Sequence, residues 1–390
     1  MRAVQDTPEA DRLRVARLGI RLLRAPLERP VRTALGAMTS RPCLLVRAED
    51  ADGARGWGEV WCNFPTCGAE HRARLLETLV APRLLGRTWS GPVAAFHTLA
   101  RELHTVALQA GEPGPIAQVL AGLDIALWDL LTRRQGVPLH RRLGSDRARV
   151  PAYASGIDPA EAVPTIERAR AEGHRRFKIK VGFGRAVDLP AVGAAAAALA
   201  PGERLMVDAN QRWDLPEARR MAQELAAARP LWIEEPLPAD APRRHWRRLA
   251  APGVALAAGE NLRGAAEFDA ALAAGVLGFV QPDACKWGGI TGCLPLARRI
   301  ADAGAVYCPH FLGGAVGLLA SAHLLAAAGG EGLLEMDVNP NPLRSELLGP
   351  ILPVADGTAS LPEGPGLGAE PDPDLLARFT TAEAELRAAG

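Results

Sequence analysis

Beyond about Val150 the chain repeats a single arrangement: a short apolar run, a turn of polar residues, glycine or proline, and a helical segment. The apolar runs are "VPAYASG", "FKIKVG", "RLMVDAN", "PLWIEEP", "VALAAGE", "GFVQPDA", "AVYCPH" and "GLLEMD". Between them lie stretches such as "ITGCLPLARRIADAG", where Ile290, Leu294, Ala297 and Ile300 recur at helical spacing. Eight such units predict a closed parallel β/α barrel. An open doubly wound sheet has no need of so many near-equal units, and the sequence lacks the glycine-rich phosphate loop of such a sheet.

Ahead of the barrel the texture is mixed. "PCLLVRAED", "ADG" and "ARGWGEV" predict a β-hairpin over residues 43–60. In "IAQVLAGLDIALWDLL", Ile116, Leu120, Leu123, Leu127 and Leu130 mark one apolar helix face. After about Leu352 the alternation stops. That tail cannot bury a core alone and is expected to pack back on the N-terminal part.

Lys180, Asp208, Glu234, Glu260, Asp283, His310 and Glu335 each stand at the end of an apolar run, at intervals of 23 to 28 residues. In a parallel barrel the C-terminal strand ends open on one mouth, so these ionisable side chains share a cavity. Any one of them alone reads as an ordinary solvated loop charge; the whole set in register does not. Asp208, Glu234 and Glu260 come from consecutive strands, and three adjacent carboxylates are stable together only with a cation. An all-oxygen site with room for water suits Mg²⁺. Glu235 competes with Glu234, because alternation along "WIEEP" lets only one of them face inward. Lys178 and Lys180 face the same way, and a buried lysine beside another cation has a lowered pKa and serves as a general base. His310 is the second candidate base, with Asp283 placed to hydrogen-bond its ring and set its tautomer. Such a site removes a proton next to a carboxylate and stabilises the enediolate. A Schiff-base aldolase using Lys180 would not need the three carboxylates.

Composition narrows the partners. The 390 residues are 48% apolar and 23% charged, with a net charge of +1 and no basic block to attract a nucleic acid. No apolar run predicts a membrane span, and the arginine-rich start (Arg2, Arg12, Arg14, Arg17) lacks the apolar core of a signal peptide. Cys62 and Cys67 have no second pair at zinc spacing, so the six cysteines read as reduced, buried thiols of a cytoplasmic protein.

These residues resemble the enolase superfamily, in its mandelate racemase/muconate lactonizing enzyme branch. "AGLDIALWDLLTRRQGVPLHRRLG" (121–144) resembles the helical signature ahead of that family's barrel. "KIK", "VDANQRW", "WIEEP", "AAGEN", "QPDACKWGGITG" and "PHFLGG" resemble its barrel motifs in order, and "PEGPGLG" (362–368) its C-terminal return. The resemblance implies a modified TIM barrel, (β/α)7β-like, over residues 146–352. An α+β N-terminal capping domain over 1–145 would be completed by residues 353–390. It implies one Mg²⁺ per subunit on Asp208, Glu234 and Glu260, chelated by the substrate carboxylate, and favours Glu234 over Glu235. Lys180 is then one acid/base, Lys178 helps neutralise the enolate, and His310, oriented by Asp283, is the other acid/base. Glu335 would hydrogen-bond the substrate carboxylate, and Asn210 would reach the α-substituent. Lys286 corresponds to a base in some relatives, but the Asp–His pair points to the mandelate racemase-like subgroup and leaves Lys286 a supporting role by the substrate.

The family's reactions diverge after α-proton abstraction. The implied function is a Mg²⁺-dependent lyase, an acid-sugar dehydratase. A 2-hydroxy-acid racemase or epimerase and a lactone cycloisomerase are the isomerase alternatives, and a catalytically lapsed binding barrel is the alternative from another class. Specificity is expected in "RTALGAMTSRP" (32–42) and "WCNFPTCGAEHR" (61–72). There Trp61, Asn63 and Phe64 either shape the pocket or make hairpin contacts. Arg32 and Arg41 either bind the distal carboxylate of a diacid or lie on the surface without such a task. The expected partners are a small-molecule carboxylate and further copies of the chain, from dimer to octamer, with no nucleic acid and no membrane.

Overall fold

The computed structural model describes residues 9–33, 36–249 and 253–388. Strands Leu13–Thr33, Gly36–Asp50 and Arg55–Val60 form an antiparallel meander, and Thr380–Arg387 joins the outer edge of the first, pairing Ala384 with Ile20. The hairpin over 43–60 is present, its first strand beginning earlier, at Gly36. One face of this sheet packs on helix Pro113–Arg134, and glycines permit the approach. A Cβ on Gly58 would lie 1.9 Å from the Gly122 carbonyl, and one on Gly56 2.2 Å from that of Ala126.

Contrary to the expectation that no segment is membrane-like, this helix is long and apolar enough to cross a membrane by length and composition. Its most apolar window is 83% buried inside the molecule, so protein occupies the faces that lipid would. Its buried aspartates are tied down. Asp129 accepts from the Trp57 and Leu367 amides at 2.8 and 2.6 Å. Asp124 accepts from the Thr291 amide and hydroxyl at 2.9 and 2.6 Å, while burial raises its pKa to about 7. One helix thus joins the N-terminal sheet, the C-terminal return and the barrel helix Gly289–Asp302.

The barrel strands are Arg149–Ile157, Arg176–Lys180, Arg204–Asp208, Trp232–Glu234, Ala255–Ala258, Leu277–Val280, Val306–Tyr307 and Leu334–Asp337. They pair in chain order up to the seventh; the eighth pairs with the first, and among the described residues no ladder joins the seventh to the eighth. Among the described residues seven helices lie outside: Ala162–Ala171, Arg185–Ala197, Leu215–Leu225, Arg243–Leu249, Gly264–Ala274, Gly289–Asp302 and Ala315–Ala328. The architecture is a (β/α)7β barrel with an N-terminal α+β capping domain.

Strand parity decides what enters the barrel. Phe177, Ile179, Leu205, Val207 and Ile233 face the helices. Tyr153, Met206, Trp232 and Ala257 face inward and fill the floor, where the Trp232 ring lies 5.4 Å from Tyr153 and 4.7 Å from Phe279. Lys178 is level with Met206, whereas Lys180, Asp208 and Glu234 are level with one another, one pleat nearer the mouth.

Elsewhere, helix Ala315–Ala328 buries His323 against His140, with their Nδ1 atoms 3.1 Å apart. Burial and the neighbouring His140 lower the His323 pKa to about 3. All six cysteines are free, but Cys67 is exposed, not buried as expected, because it lies at the surface just ahead of helix Gly68–Leu75.

Candidate active site

Lys178 sits deepest at the mouth. Its Nζ lies 2.7 and 2.8 Å from the Glu234 oxygens, 2.7 Å from Glu335 Oε1 and 3.7 Å from Asp208 Oδ2. Lys180 Nζ lies 2.6 Å from Asp208 Oδ2. His310 presents Nδ1 to Asp283 Oδ2 at 2.8 Å and Nε2 to Glu260, with Glu335 Oε2 4.0 Å from Nε2. Both ring nitrogens face carboxylates, the arrangement that suits a doubly protonated imidazole. Asp283 is itself held by the Cys285 and Lys286 amides at 2.8 and 3.1 Å.

The electrostatics reverse one sequence expectation. Burial lowers both lysines, and Lys178 lowers Lys180 further, as a neighbouring cation should. The carboxylates outweigh these effects: Glu234 and Glu335 hold Lys178 well above its ordinary value, and Asp208 holds Lys180 above its own. His310 is likewise lifted against burial, by Glu260, Glu335 and Asp283. Against the upward effect of burial, Lys180 and Lys178 lower Asp208, His310 and Lys286 hold Glu260 well down, and Lys178 and His310 lower Glu335. Glu234 moves the other way, to about 7, because burial and Asp208 outweigh its share of Lys178. In this form Lys178, Lys180 and His310 are each held by carboxylates. A free base appears only when another cation takes over a carboxylate.

Among the described residues no three His, Cys, Asp or Glu side chains are gathered to hold a metal ion. Asp208 and Glu234 are turned to lysines and Glu260 to His310. The donor chemistry nevertheless fits Mg²⁺. Three carboxylates, Asp208 and Glu234 buried and Glu260 half-buried, come from successive strand ends, and Asp208 raises Glu234 while Glu260 raises Asp208, a repulsion that a divalent cation relieves.

Alternation predicts that one of Glu234 and Glu235 reaches the interior; both do. Glu234 follows the parity of Trp232 and accepts from Trp232 Nε1 at 3.1 Å and Gln281 Nε2 at 2.7 Å. At Glu235 a φ of 39° breaks the strand, so this buried carboxylate also lines the mouth, accepting from Asn261 Nδ2 at 2.9 and 3.1 Å. Asn210 and Gln211, with φ of 43° and 64°, are left-handed beside it, a concentration of backbone strain of the kind that marks functional sites. Asn210 binds Asp208 through its amide and Nδ2 at 2.9 and 3.1 Å. Lys286 Nζ donates to Asn261 Oδ1 at 2.9 Å and stands 4.7 Å over the Trp61 ring.

These groups surround a cavity of about 200 Å³ that includes Trp61, Asn63, Lys180, Glu260 and His310 in its walls. A larger one of about 550 Å³ shares Gln211, Glu235 and Asn261 with it but touches neither Lys180 nor His310. Reactive groups rather than size place the candidate site in the smaller cavity. Arg41 is no surface residue: it is buried in the cavity wall and donates to Asp337 Oδ2 at 3.0 Å and the Pro340 carbonyl at 3.2 Å. The side chain of Arg32, and residues 34–35 of the 32–42 segment, lie outside the described residues.

Ser155, Gln281 and Asn261 are uncharged and do not stand out among the ionisable strand ends. Ser155 donates to Glu335 Oε1 at 2.5 Å, Gln281 holds Glu234, and Asn261 bridges Lys286 to Glu235 and Glu260. Ser155 has the inward parity of Tyr153, and Asn261 adjoins Glu260, so position rather than charge was the available signal.

Residues 161–375 match the family model described as enolase C-terminal domain-like, and residues 18–144 match the mandelate racemase / muconate lactonizing enzyme N-terminal domain. The chain belongs to the mandelate racemase/muconate lactonizing enzyme family of the enolase superfamily. It is a lyase or an isomerase. D-galactarolactone cycloisomerase of Agrobacterium fabrum (strain C58 / ATCC 33970) is 30% identical, covering 94% of this chain and 99% of the relative. The crystal structure of a mandelate racemase/muconate lactonizing enzyme from Bordetella bronchiseptica RB50 is 50% identical, with a TM-score of 0.88 over 94% of this chain and 99% of that one. L-talarate dehydratase from Polaromonas sp. JS666, complexed with Mg and L-glucarate, is 29% identical, with a TM-score of 0.83 over 96% and 100% of the two chains.

Proposed function

We propose that the protein is a Mg²⁺-dependent acid-sugar dehydratase. One observation carries the reading. Most residues lining the cavity that Lys180 and His310 enter carry a polar or charged group, including Arg41, Asn63, Ser155, Asn210, Lys286 and Asn339, and they alternate with apolar surface from residues such as Val31, Trp61, Phe64 and Leu312. That many hydrogen-bonding groups suit the several hydroxyls of a sugar acid, while the apolar patches can pack against its carbon chain. The Mg-bound talarate dehydratase supports the same choice.

Asp208, Glu234 and Glu260 would hold the ion, which supplies Lewis-acid stabilisation for the charge that builds on the substrate carboxylate. Lys180, released from Asp208, takes the α-proton at Nζ. Lys178 stays charged beneath it and faces the enolate. Glu335, which accepts from Ser155 and the Phe311 amide, would hydrogen-bond the substrate carboxylate as the enolate forms and take up a proton there. His310 gives its Nε2 proton to the β-hydroxyl, which leaves as water, while Asp283 keeps the ring aimed from Nδ1. The Cα–H and Cβ–O bonds break, and the enol left behind becomes a 2-keto acid. Asn210, Lys286 and Trp61 would contact the remainder of the substrate.

The test is incubation with Mg²⁺ in D₂O against sugar acids and 2-hydroxy acids, with proton NMR of the α-position and a 2-keto acid assay. Exchange with keto product is expected. Mg²⁺ binding without exchange of any sugar acid would overturn the reading. Cycloisomerisation is the second reading, favoured by the relative that spans 94% of this chain. Consumption of a sugar lactone without release of water would establish it.

A further inference from the structure

Glu59, at the end of strand Arg55–Val60, is 3% exposed although it lies far from the mouth carboxylates in sequence. It makes none of the ion pairs found among the described residues; its oxygens accept from backbone amides of the other domain, Gly314 at 2.5 Å and Gly317 at 2.8 Å. These amides open helix Ala315–Ala328, whose own N-cap, Gly314, contributes no side-chain cap. Four amides at a helix start lack partners within the helix, and a carboxylate there is favoured by the helix dipole as well. The cap of this helix therefore comes from another domain, 255 positions away.

The segment just ahead of the helix is His310–Gly314, and it is fastened at every residue. The His310 amide donates to the Pro282 carbonyl at 3.3 Å and the Phe311 amide to Glu335 at 3.2 Å. The Leu312 carbonyl accepts from Asn63 at 2.6 Å and the Gly313 carbonyl from Asn341 at 2.9 Å. Glu59 takes the fifth point, Gly314. Two of the five fasteners, Glu59 and Asn63, belong to the capping domain. The fit is close: a Cβ on Gly313 would lie 2.6 Å from Glu59 Oε1 and 2.6 Å from the Phe311 ring.

We infer that Glu59 is a positioning residue for His310, through which docking of the capping domain sets the histidine's place in the site. It touches no reacting atom; it fixes the far end of the short segment that carries the ring. The inference rests on the reading of Lys180 and His310 as the two acid/base groups. Its specific consequence is asymmetry, since Lys180 stands on a barrel strand that Glu59 does not touch.

Two measurements on the full chain test it. The first is hydrogen exchange by mass spectrometry of the wild type and Glu59→Gln, which needs no substrate. Faster exchange confined to residues 310–317 is expected, and unchanged protection there overturns the inference. The second follows α-proton exchange in D₂O with Mg²⁺ of a sugar acid found to exchange in the sugar-acid screen and of its C2 epimer, after Lys180→Ala and His310→Asn have shown which base serves which epimer. Glu59→Gln should slow the epimer served by His310 by about 100-fold, the cost of a misplacement of roughly 1 Å, and leave the other within about twofold. Gly313→Ala, which keeps the carboxylate but crowds it, should show the same asymmetry. Equal losses for both epimers, or none, would sink the inference. If the wild type exchanges no sugar acid, the reading of the function fails, and the mass-spectrometric result still decides the placement of the loop.

Discussion

His310 at the barrel mouth and His323 in the helix layer are both buried, yet their protonation is driven in opposite directions. His323 meets another histidine and a carbonyl, so burial acts almost unopposed and its pKa falls to about 3. His310 meets Asp283, Glu260 and Glu335, which hold it well above its ordinary value. Burial sets the stakes in both regions, and the carboxylates decide the sign. Around His323 the partners are a second imidazole and a carbonyl, with no carboxylate among the described residues to offset burial. At the mouth Lys178, Lys180 and His310 each answer a carboxylate, so a cation that took over one of those carboxylates would free a proton carrier.

The largest way to break this contrast is at His310. His310→Asn keeps a polar group but no proton to give, and turnover of a sugar acid should fall by about 10²- to 10⁴-fold in steady-state assays. Wild-type turnover by this variant would remove the histidine from the mechanism. Next comes the shell around the carboxylates. Gln281→Leu strips Glu234 of the 2.7 Å amide contact and should weaken Mg²⁺ about 10-fold or more in isothermal titration.

The helix layer gives the third test. Folded His323 resists a proton that the unfolded chain accepts below about 6.5, so stability is full above that pH and declines as pH falls towards 3. At pH 5 the loss from this residue is about 2 kcal/mol, read by urea unfolding at pH 7 and pH 5. His323→Asn should flatten that dependence, and an unchanged slope would show that the acid sensitivity arises elsewhere. The smallest effect is expected where the capping domain reaches the mouth. Trp61→Leu removes the ring under Lys286 and should raise KM a few-fold with little change in kcat, since such contacts contribute about 0.5–1 kcal/mol.

The barrel was legible because its signals are periodic. Alternation sends Phe177 and Ile179 outward and Lys178 and Lys180 inward, and the repeat brings Asp208, Glu234, Glu260 and Asp283 to the same end. Three things were hidden, each for a physical reason. The lysines' protonation depends on how many carboxylates surround each ammonium, which spacing along a strand does not reveal. Glu235 enters the site through a left-handed φ that alternation cannot anticipate. Ser155, Gln281 and Asn261 carry no charge, and Glu59 acts at a distance in sequence that no local motif spans.

The outer strand of the N-terminal sheet has a consequence for how the molecule is made. Arg21 and Glu383 meet across it, 362 positions apart. A ribosome adding about 5–20 residues per second takes roughly 20 to 70 s to cover that interval. Throughout it the edge of strand Leu13–Thr33 lacks its neighbour, and an open edge is where chains pair with the wrong partner. The first sheet to emerge is among the last to be finished, so a nascent chain stalled inside the barrel is exposed at its beginning rather than at its growing end.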